Sequence, residues 1–276
     1  MVAGSEAQKS SMLPRIASGE LIGTLAVSEG AGVLTEARIA AQVSAGKLFG
    51  TKLPVTDGMA AGHAVVLALS DLGLGLYLVD LKGPGVSRTA VSNIDPTRGS
   101  AQIVFDGAPV EPLGEAGNGL ETLNRIQDRG AILLAFEQLG GADRCLEMAR
   151  DYALDRYAFG RPIGSYQAIK HKLADVFVKN EVARANAYFG AWALSTNATE
   201  LPVAAAAARV AGSAAYWLAS KEMIQTYGGI GVTWEADCHF FFRRARHLGL
   251  VIGAPRDWKR RLANALVQRV IEEKAI

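Results

Sequence analysis

Residues 156–171 run RYAFGRPIGSYQAIKH. The Phe159-Gly160-Arg161-Pro162 step in the middle cannot lie inside a helix, because Gly and Pro together end one. On either side of it apolar residues recur at three- and four-residue spacing. Leu123, Ile126, Ile132, Leu133, Phe136, Leu139, Cys145, Leu146 and Met148 do so before it, and the stretch from Tyr166 to Leu194 after it. The segment is therefore a corner between two long helices. Physically it offers a cationic helix end at Arg156, a tight turn carrying the aromatic Phe159, and a fresh helix N-terminus near Gln167. Arginine with free backbone N–H groups makes a seat for an anion or a phosphate, and a phenyl ring offers a stacking face. The same pattern also serves as a plain hairpin corner with solvated charges.

Downstream of the corner, a third helix is predicted from Val203 to about Tyr227. A fourth runs from about Ala236 to Glu273, with an interruption near Gly253-Ala254-Pro255. Upstream the character changes. Short apolar runs at Ile22–Val27, Ala64–Leu69, Leu74–Asp80 and Ala101–Phe105 are separated by turn formers such as Thr56-Asp57-Gly58, Gly83-Pro84-Gly85, Asp95-Pro96 and Asp106-Gly107. That spacing predicts an antiparallel β domain. The fold class expected is α+β, with a β domain over 21–115 and a four-helix bundle over 116–276.

Composition narrows the function. The chain has 276 residues, Lys+Arg 29 against Asp+Glu 27, a net charge of +2 and a mean hydropathy of +0.15. So balanced a charge argues against nucleic acid or an anionic membrane as the main partner. Cys145 and Cys238 form neither a disulfide framework nor a zinc pattern, so no metal is expected. The run Val203–Ala219 is interrupted by Arg209 and is too short and alanine-rich to span a bilayer, and Met1–Ser18 lacks the apolar core of a signal peptide. The expectation is a soluble, cytoplasmic protein.

A second motif, Gln225-Thr226-Tyr227-Gly228-Gly229-Ile230-Gly231, closes the third helix. Its glycines let backbone approach a ligand, although a Gly-rich helix cap requires none. Together with the lead-in Leu13-Pro14-Arg15-Ile16-Ala17-Ser18-Gly19-Glu20, the corner at 156–168, Thr233-Trp234-Glu235 and Arg243-Arg244-Ala245, this order of motifs resembles the FAD-dependent acyl-CoA dehydrogenases, from about Gln8 to the C-terminus. The resemblance implies a middle β barrel holding the flavin ring and a four-helix bundle that associates into dimers and tetramers. It implies that Arg156, Phe159, Gln167, Gln225, Gly228 and Gly229 contact the ADP half of FAD held by a neighbouring subunit. On the ring side, Ser28, Glu29 and Thr56 match the family pattern, while the Ser-Asp pair and the Trp of that pattern are lost; Pro54 stands at the Trp position.

The usual catalytic carboxylate is also lost. In one branch of the family its position falls on Ile252, and in the other on Gly130; Glu235 and Glu137 are the nearest substitutes, Glu235 being the better placed. The family's N-terminal helical domain, about a hundred residues long, corresponds here only to a remnant over residues 1–20. Two readings follow. One is an acyl-CoA dehydrogenase subunit acting on an acyl-CoA thioester in fatty acid or steroid side-chain β-oxidation. The other is a non-catalytic subunit that completes the FAD site of a full-length partner in a hetero-oligomer, or a truncated inactive copy. His171, His239 and His247 are read as surface or packing residues, Trp192, Trp217 and Trp234 as core or interface anchors, and Arg256–Arg261 as a solvated basic face.

Overall fold

The structure, a computed structural model, describes residues 1–274. It separates into two units, Met1–Ile126 and a second from Gln127 onward.

The first unit begins with helix α1 (Glu6–Ala17), whose start is fixed by a reciprocal capping box between Ser5 and Gln8. Gln8 also donates from Nε2 to the Pro112 carbonyl at 3.1 Å. Eight strands follow: β1 (Gly23–Ala26), β2 (Gln42–Ser44), β3 (Lys47–Thr56), β4 (His63–Ser70), β5 (Gly73–Asp80), β6 (Val86–Val91), β7 (Ser100–Pro109) and β8 (Glu111–Leu113). They form one sheet in the order β6-β7-β3-β2-β4-β5-β8, with β1 paired to β4. The pairing is antiparallel except that β1 and β2 each run parallel to β4, so the expected all-antiparallel domain is corrected to a mixed sheet. The path from β6 to β8 is open: hydrogen bonds do not close it into a barrel.

Strand period 2 sorts the core into two layers. Along β4, Ala64, Val66 and Ala68 belong to one buried cluster with Leu48, Val55 and Ile103. Val65, Leu67 and Leu69 belong to the other, which the first turns of helix α2 (Gly119–Asp155) cover with Leu120, Leu123 and Ile126. Leu67 is fully buried, so its truncation to Ala should cost about 2–5 kcal/mol. Within β3, Lys52 is fully buried and its Nζ donates to Glu29 Oε1 at 2.6 Å; Glu29 also accepts from the Ala40 and Ala41 amides. Burial disfavours the Glu29 anion, but these partners outweigh it and hold its pKa below the usual range.

The second unit is helical. After α2 come the two-residue strands β9 (Tyr157–Ala158) and β10 (Arg161–Pro162), then α3 (Gln167–Thr196), α4 (Leu201–Tyr227), α5 (Cys238–Leu250) and α6 (Pro255–Lys274). The fourth predicted helix is thus two helices, broken where the Gly253-Ala254-Pro255 signal stands. Small residues let the long helices approach closely. A Cβ on Gly141 would stand 2.4 Å from the Tyr216 ring, and Ala204, Ala205, Ala206 and Ala208 are all buried. Arg209, 1% exposed, donates to Gln138 Oε1 at 3.0 Å and to the Leu248 carbonyl at the end of α5. It has the role of a buried cap on a helix C-terminus, where the dipole favours a cation. Both cysteines are buried and free, and burial pushes both thiols up.

Candidate functional site

The corner after α2 is a β-hairpin rather than a bare turn. Ala158 pairs with Arg161 and Tyr157 with Pro162, leaving Phe159 and Gly160 as its two-residue loop. Both have positive φ, +53° and +80°, which is the type I′ geometry that matches strand twist. Glycine adopts that geometry freely; phenylalanine does so at a cost. The Phe159 side chain is nevertheless 96% exposed, so no packing within the chain offsets the cost. The hairpin is held from below: Tyr166 Oη donates to the Ala158 carbonyl at 3.0 Å, the Arg161 guanidinium lies 4.0 Å over the Tyr166 ring, and the Ile163 amide donates to the Arg156 carbonyl at 2.8 Å.

The second motif ends α4. Gly228, at φ 67° and ψ −139°, occupies backbone space that is essentially glycine-only. The next turn is tight: a Cβ on Gly231 would stand 2.7 Å from the Ile224 carbonyl. At Gly228 and Gly229 a Cβ would meet nothing within 4 Å, so the space above these two is open.

The two motifs meet. A cavity of about 480 Å³ is lined by Arg156 from the corner and by Thr226, Tyr227, Gly228 and Gly229 from the end of α4, with Tyr152 beside them. Tyr152 and Tyr227 stack with centroids 4.1 Å apart, and burial raises the Tyr227 phenol, keeping it a neutral donor. Arg156 is exposed and has no carboxylate partner among the described residues. The arrangement offers a free guanidinium, an aromatic wall and backbone that a ligand can approach closely, which suits an anionic, partly planar group.

The other sequence-derived residues are placed as follows. Phe159 and Gln167 stand outside this cavity, and Gln225 lines a separate one on the far side of the glycine turn. In the sheet unit Ser28 Oγ donates to the Gly30 carbonyl, while half-buried Thr56 ends β3 and its carbonyl accepts from Thr24 Oγ1 at 2.7 Å. Gly130 lies on α2 with open space where a side chain would begin. Ile252 packs against the cluster of Ala131, Ile132, Ala205, Ala206 and Trp258, and its carbonyl accepts from Trp258 Nε1 at 3.1 Å. Glu137 is ion-paired to Arg244 at 3.1 Å, and Glu235 sits exposed in the bend before α5. Sequence reading missed Tyr152 and Tyr227 as cavity walls. The signal was available: Tyr152 precedes Arg156 by one helical turn, and Tyr227 directly precedes the glycines.

Two further readings are corrected. Trp192, Trp217 and Trp234, expected as core or interface anchors, are 48%, 37% and 69% exposed, which removes the core role. Arg261 is not part of a solvated face, since it pairs with buried Asp128 at 2.8 Å.

A mixed-sheet unit is followed along the chain by long helices, and a cavity lined by Arg156 forms where α2 and α4 end. The acyl-CoA dehydrogenase C-terminal domain family matches residues 117–255, just over half of the chain. The acyl-CoA dehydrogenase IpdE2 of Mycobacterium tuberculosis is 42% identical over 176 residues, covering 64% of this chain and 51% of that protein. Among solved structures, the butyryl-CoA dehydrogenase from Megasphaera elsdenii superimposes with a TM-score of 0.89 at 27% identity, covering 96% of this chain and 73% of that one. The Tcur3481-Tcur3483 steroid ACAD gives 0.85 at 26% identity, covering 98% and 73%. The chain belongs to the acyl-CoA dehydrogenase family. It spans about half the length of the curated relative it matches at 42%.

Family membership implies FAD. Arg156 has no carboxylate partner among the described residues and the backbone at Gly228 and Gly229 is open to close approach, a lining that would suit the anionic nucleotide part of such a cofactor. When bound, FAD supplies a hydride acceptor at flavin N5. No helix among the described residues is long and apolar enough to cross a membrane, and no cluster of three metal-ligating side chains occurs among them.

Proposed function

We propose that this chain is a subunit of an oligomeric acyl-CoA dehydrogenase, where it holds the ADP half of a FAD shared with a neighbouring subunit. The reaction is α,β-dehydrogenation of an acyl-CoA thioester with a fatty acid or steroid side chain, and the base that removes the α-proton comes from the partner. The observation that supports this reading is the pairing of a cavity lined by Arg156 and the Gly228-Gly229 backbone with the lack of a carboxylate at residues 130 and 252. An exposed, strained Phe159 fits the same scheme, because its cost is offset only once something covers the ring.

Helix α3 supports association. Its inner face buries Val176, Ala183, Ala187 and Ala193, yet Phe177, Val178, Val182, Phe189 and Trp192 are exposed on the other side. A helix apolar on both faces fits one buried against a second chain. The steroid ACAD neighbour, with its two-part designation, favours a hetero-oligomer with a full-length acyl-CoA dehydrogenase subunit over a homo-oligomer.

The test is FAD retention in that complex. Arg156→Ala removes a charge-assisted contact, so retention should weaken by about tenfold or more, with the far-UV spectrum unchanged because the side chain is exposed. Retention equal to the parent would take the cofactor away from this corner.

A further inference from the structure

Strand β3 ends at Thr56, and the chain then reverses through Asp57-Gly58-Met59-Ala60-Ala61-Gly62 into β4. Asp57 has a φ of +56°, a left-handed conformation that costs a non-glycine residue energy and persists where its surroundings fix it. Its carbonyl accepts from the Ala60 and Ala61 amides at 3.0 and 2.9 Å, and its own amide donates to the Gly99 carbonyl at 2.8 Å. Gly58 is wedged in place: a Cβ there would stand 2.9 Å from the Ala101 side chain.

Two arginines hold this turn from outside it. Arg88 stands on β6, at the end of the strand order, and is half-buried. Its Nη1 donates to three carbonyls of the turn, those of Gly58 at 3.2 Å, Met59 at 3.1 Å and Ala61 at 2.9 Å. That nitrogen carries two N–H groups, so three acceptors share them. None of these partners is a carboxylate; the backbone dipoles of the turn compensate the charge. In the loop before β7, Arg98 donates from both Nε and Nη2 to Asp57 Oδ2, at 3.2 and 2.7 Å. Thr24 Oγ1 on β1 donates to the Thr56 carbonyl at 2.7 Å.

This clamp serves no packing of the turn's tip, because Met59 is 47% exposed and Ala60 is exposed beside it. What it fixes is backbone. A turn held from three sides, with a left-handed residue at its start, is the arrangement by which supporting groups hold an adjacent residue to within a fraction of an ångström. The adjacent residue is Thr56.

We propose that Arg88 is a positioning residue: through the carbonyls at 58, 59 and 61 it fixes the backbone that follows Thr56, and with it the place of the Thr56 hydroxyl toward a flavin ring. The inference rests on the reading of Thr56 as a ring-side residue, which the motif resemblance implies. Arg88 acts only through the turn.

The test makes two measurements on one set of variants. The first is hydrogen exchange, on the full chain, of the Asp57, Gly58, Ala60 and Ala61 amides, all hydrogen-bonded in the turn. Arg88→Met should speed it by about tenfold or more. Arg88→Lys should return it toward the parent rate, since an ammonium brings three N–H groups to three carbonyls. The second is the position of the flavin absorbance band in the FAD-loaded complex with a full-length subunit. Thr56→Ala and Arg88→Met should each shift it, and the double variant should shift it no further than Thr56→Ala does, because both act through one contact. Arg88→Lys should keep the parent band. Arg98→Gln loosens the turn from its other side and gives the same reading where Arg88→Met fails to fold. The proposal is overturned if the turn's exchange in Arg88→Met stays at the parent rate. It is also overturned if exchange quickens and the band stays in place while Thr56→Ala moves it, for Arg88 would then be structural only. A band that Thr56→Ala leaves unmoved refutes the ring-side reading of Thr56 instead, and the inference falls with it.

Discussion

Asp128 provides a test of how the helical unit is held together. The residue is 6% exposed on α2, and its carboxylate meets Arg261 Nη2 of α6 at 2.8 Å. Burial raises its pKa from 3.8 to about 6, against the opposing pull of Arg261. An aspartate in the unfolded chain keeps its ordinary value, so between these two pH values the folded state binds the extra proton. Stability from this group is therefore fully present below about pH 4 and is lost as pH rises toward and past 6. The shift of about two units, at 1.36 kcal/mol each, corresponds to about 3 kcal/mol. Asp128→Asn mimics the protonated form at every pH. Its stability relative to the parent should therefore climb by up to about 3 kcal/mol between pH 4 and pH 7. The assay is denaturant unfolding of both proteins across that range, followed by helix signal, with a carbon-detected titration of the Asp128 carboxyl as the direct reading. A flat difference curve, or a parent that gains stability relative to the variant as pH rises, would show that the Arg261 pair outweighs burial and that the reasoning is wrong.

Other outcomes follow from the site geometry. Ile252→Glu restores a carboxylate to the position one branch of the family uses, yet the side chain there packs against the buried cluster that holds Trp258 and Ala206. It should cost about 1–3 kcal/mol in stability and install no acyl-CoA-dependent flavin reduction, which a stopped-flow absorbance assay of the reconstituted complex reads. Glu137→Gln and Glu235→Gln should leave the rate of that complex within a small structural effect, because Glu137 is occupied by Arg244 and Glu235 is solvent-exposed; a loss of about 10²-fold or more in either would make it the base. Phe159→Asn should relieve the left-handed backbone cost, raising the stability of the isolated chain by up to about 1 kcal/mol, while weakening FAD retention in the complex. A variant that binds FAD as the parent does would leave the exposed ring without a role.

Much of this was legible in the sequence because it depended on local chemistry. The helical period broke where Phe159–Pro162 and Gly253–Pro255 said it would, and the loop Phe159-Gly160 landed on the two positive φ angles. What escaped depended on pairing at a distance. Strand β3, which none of the apolar runs in the sequence marked out, lies inside the sheet between β7 and β2. Its Lys52 is buried because Glu29, brought to it by a parallel bridge at Leu53, supplies the partner that burial requires. Arg209 read as an interruption of an apolar run. The fold buries it because Gln138 and the end of α5 accept its hydrogen bonds, and burial lowers its pKa to about 10. Residues 1–20 were read only as a remnant of the family's N-terminal domain; helix α1 lies there, and none of its residues is buried. At the site, single motifs identified Arg156, Gly228 and Gly229. That these share a cavity with Tyr152, while Gln225 faces another, required the helix ends to be placed in space.

The central claim is that the chain completes a shared FAD site without supplying the base. Flavin content measured by absorbance, on the chain purified alone and on the chain co-expressed with a full-length acyl-CoA dehydrogenase subunit, tests it most directly. The account predicts a colourless or sub-stoichiometric chain alone, whose melting temperature FAD raises little, and a yellow complex that acyl-CoA bleaches. A chain that is yellow by itself, with one FAD per polypeptide reduced by acyl-CoA, would contradict it.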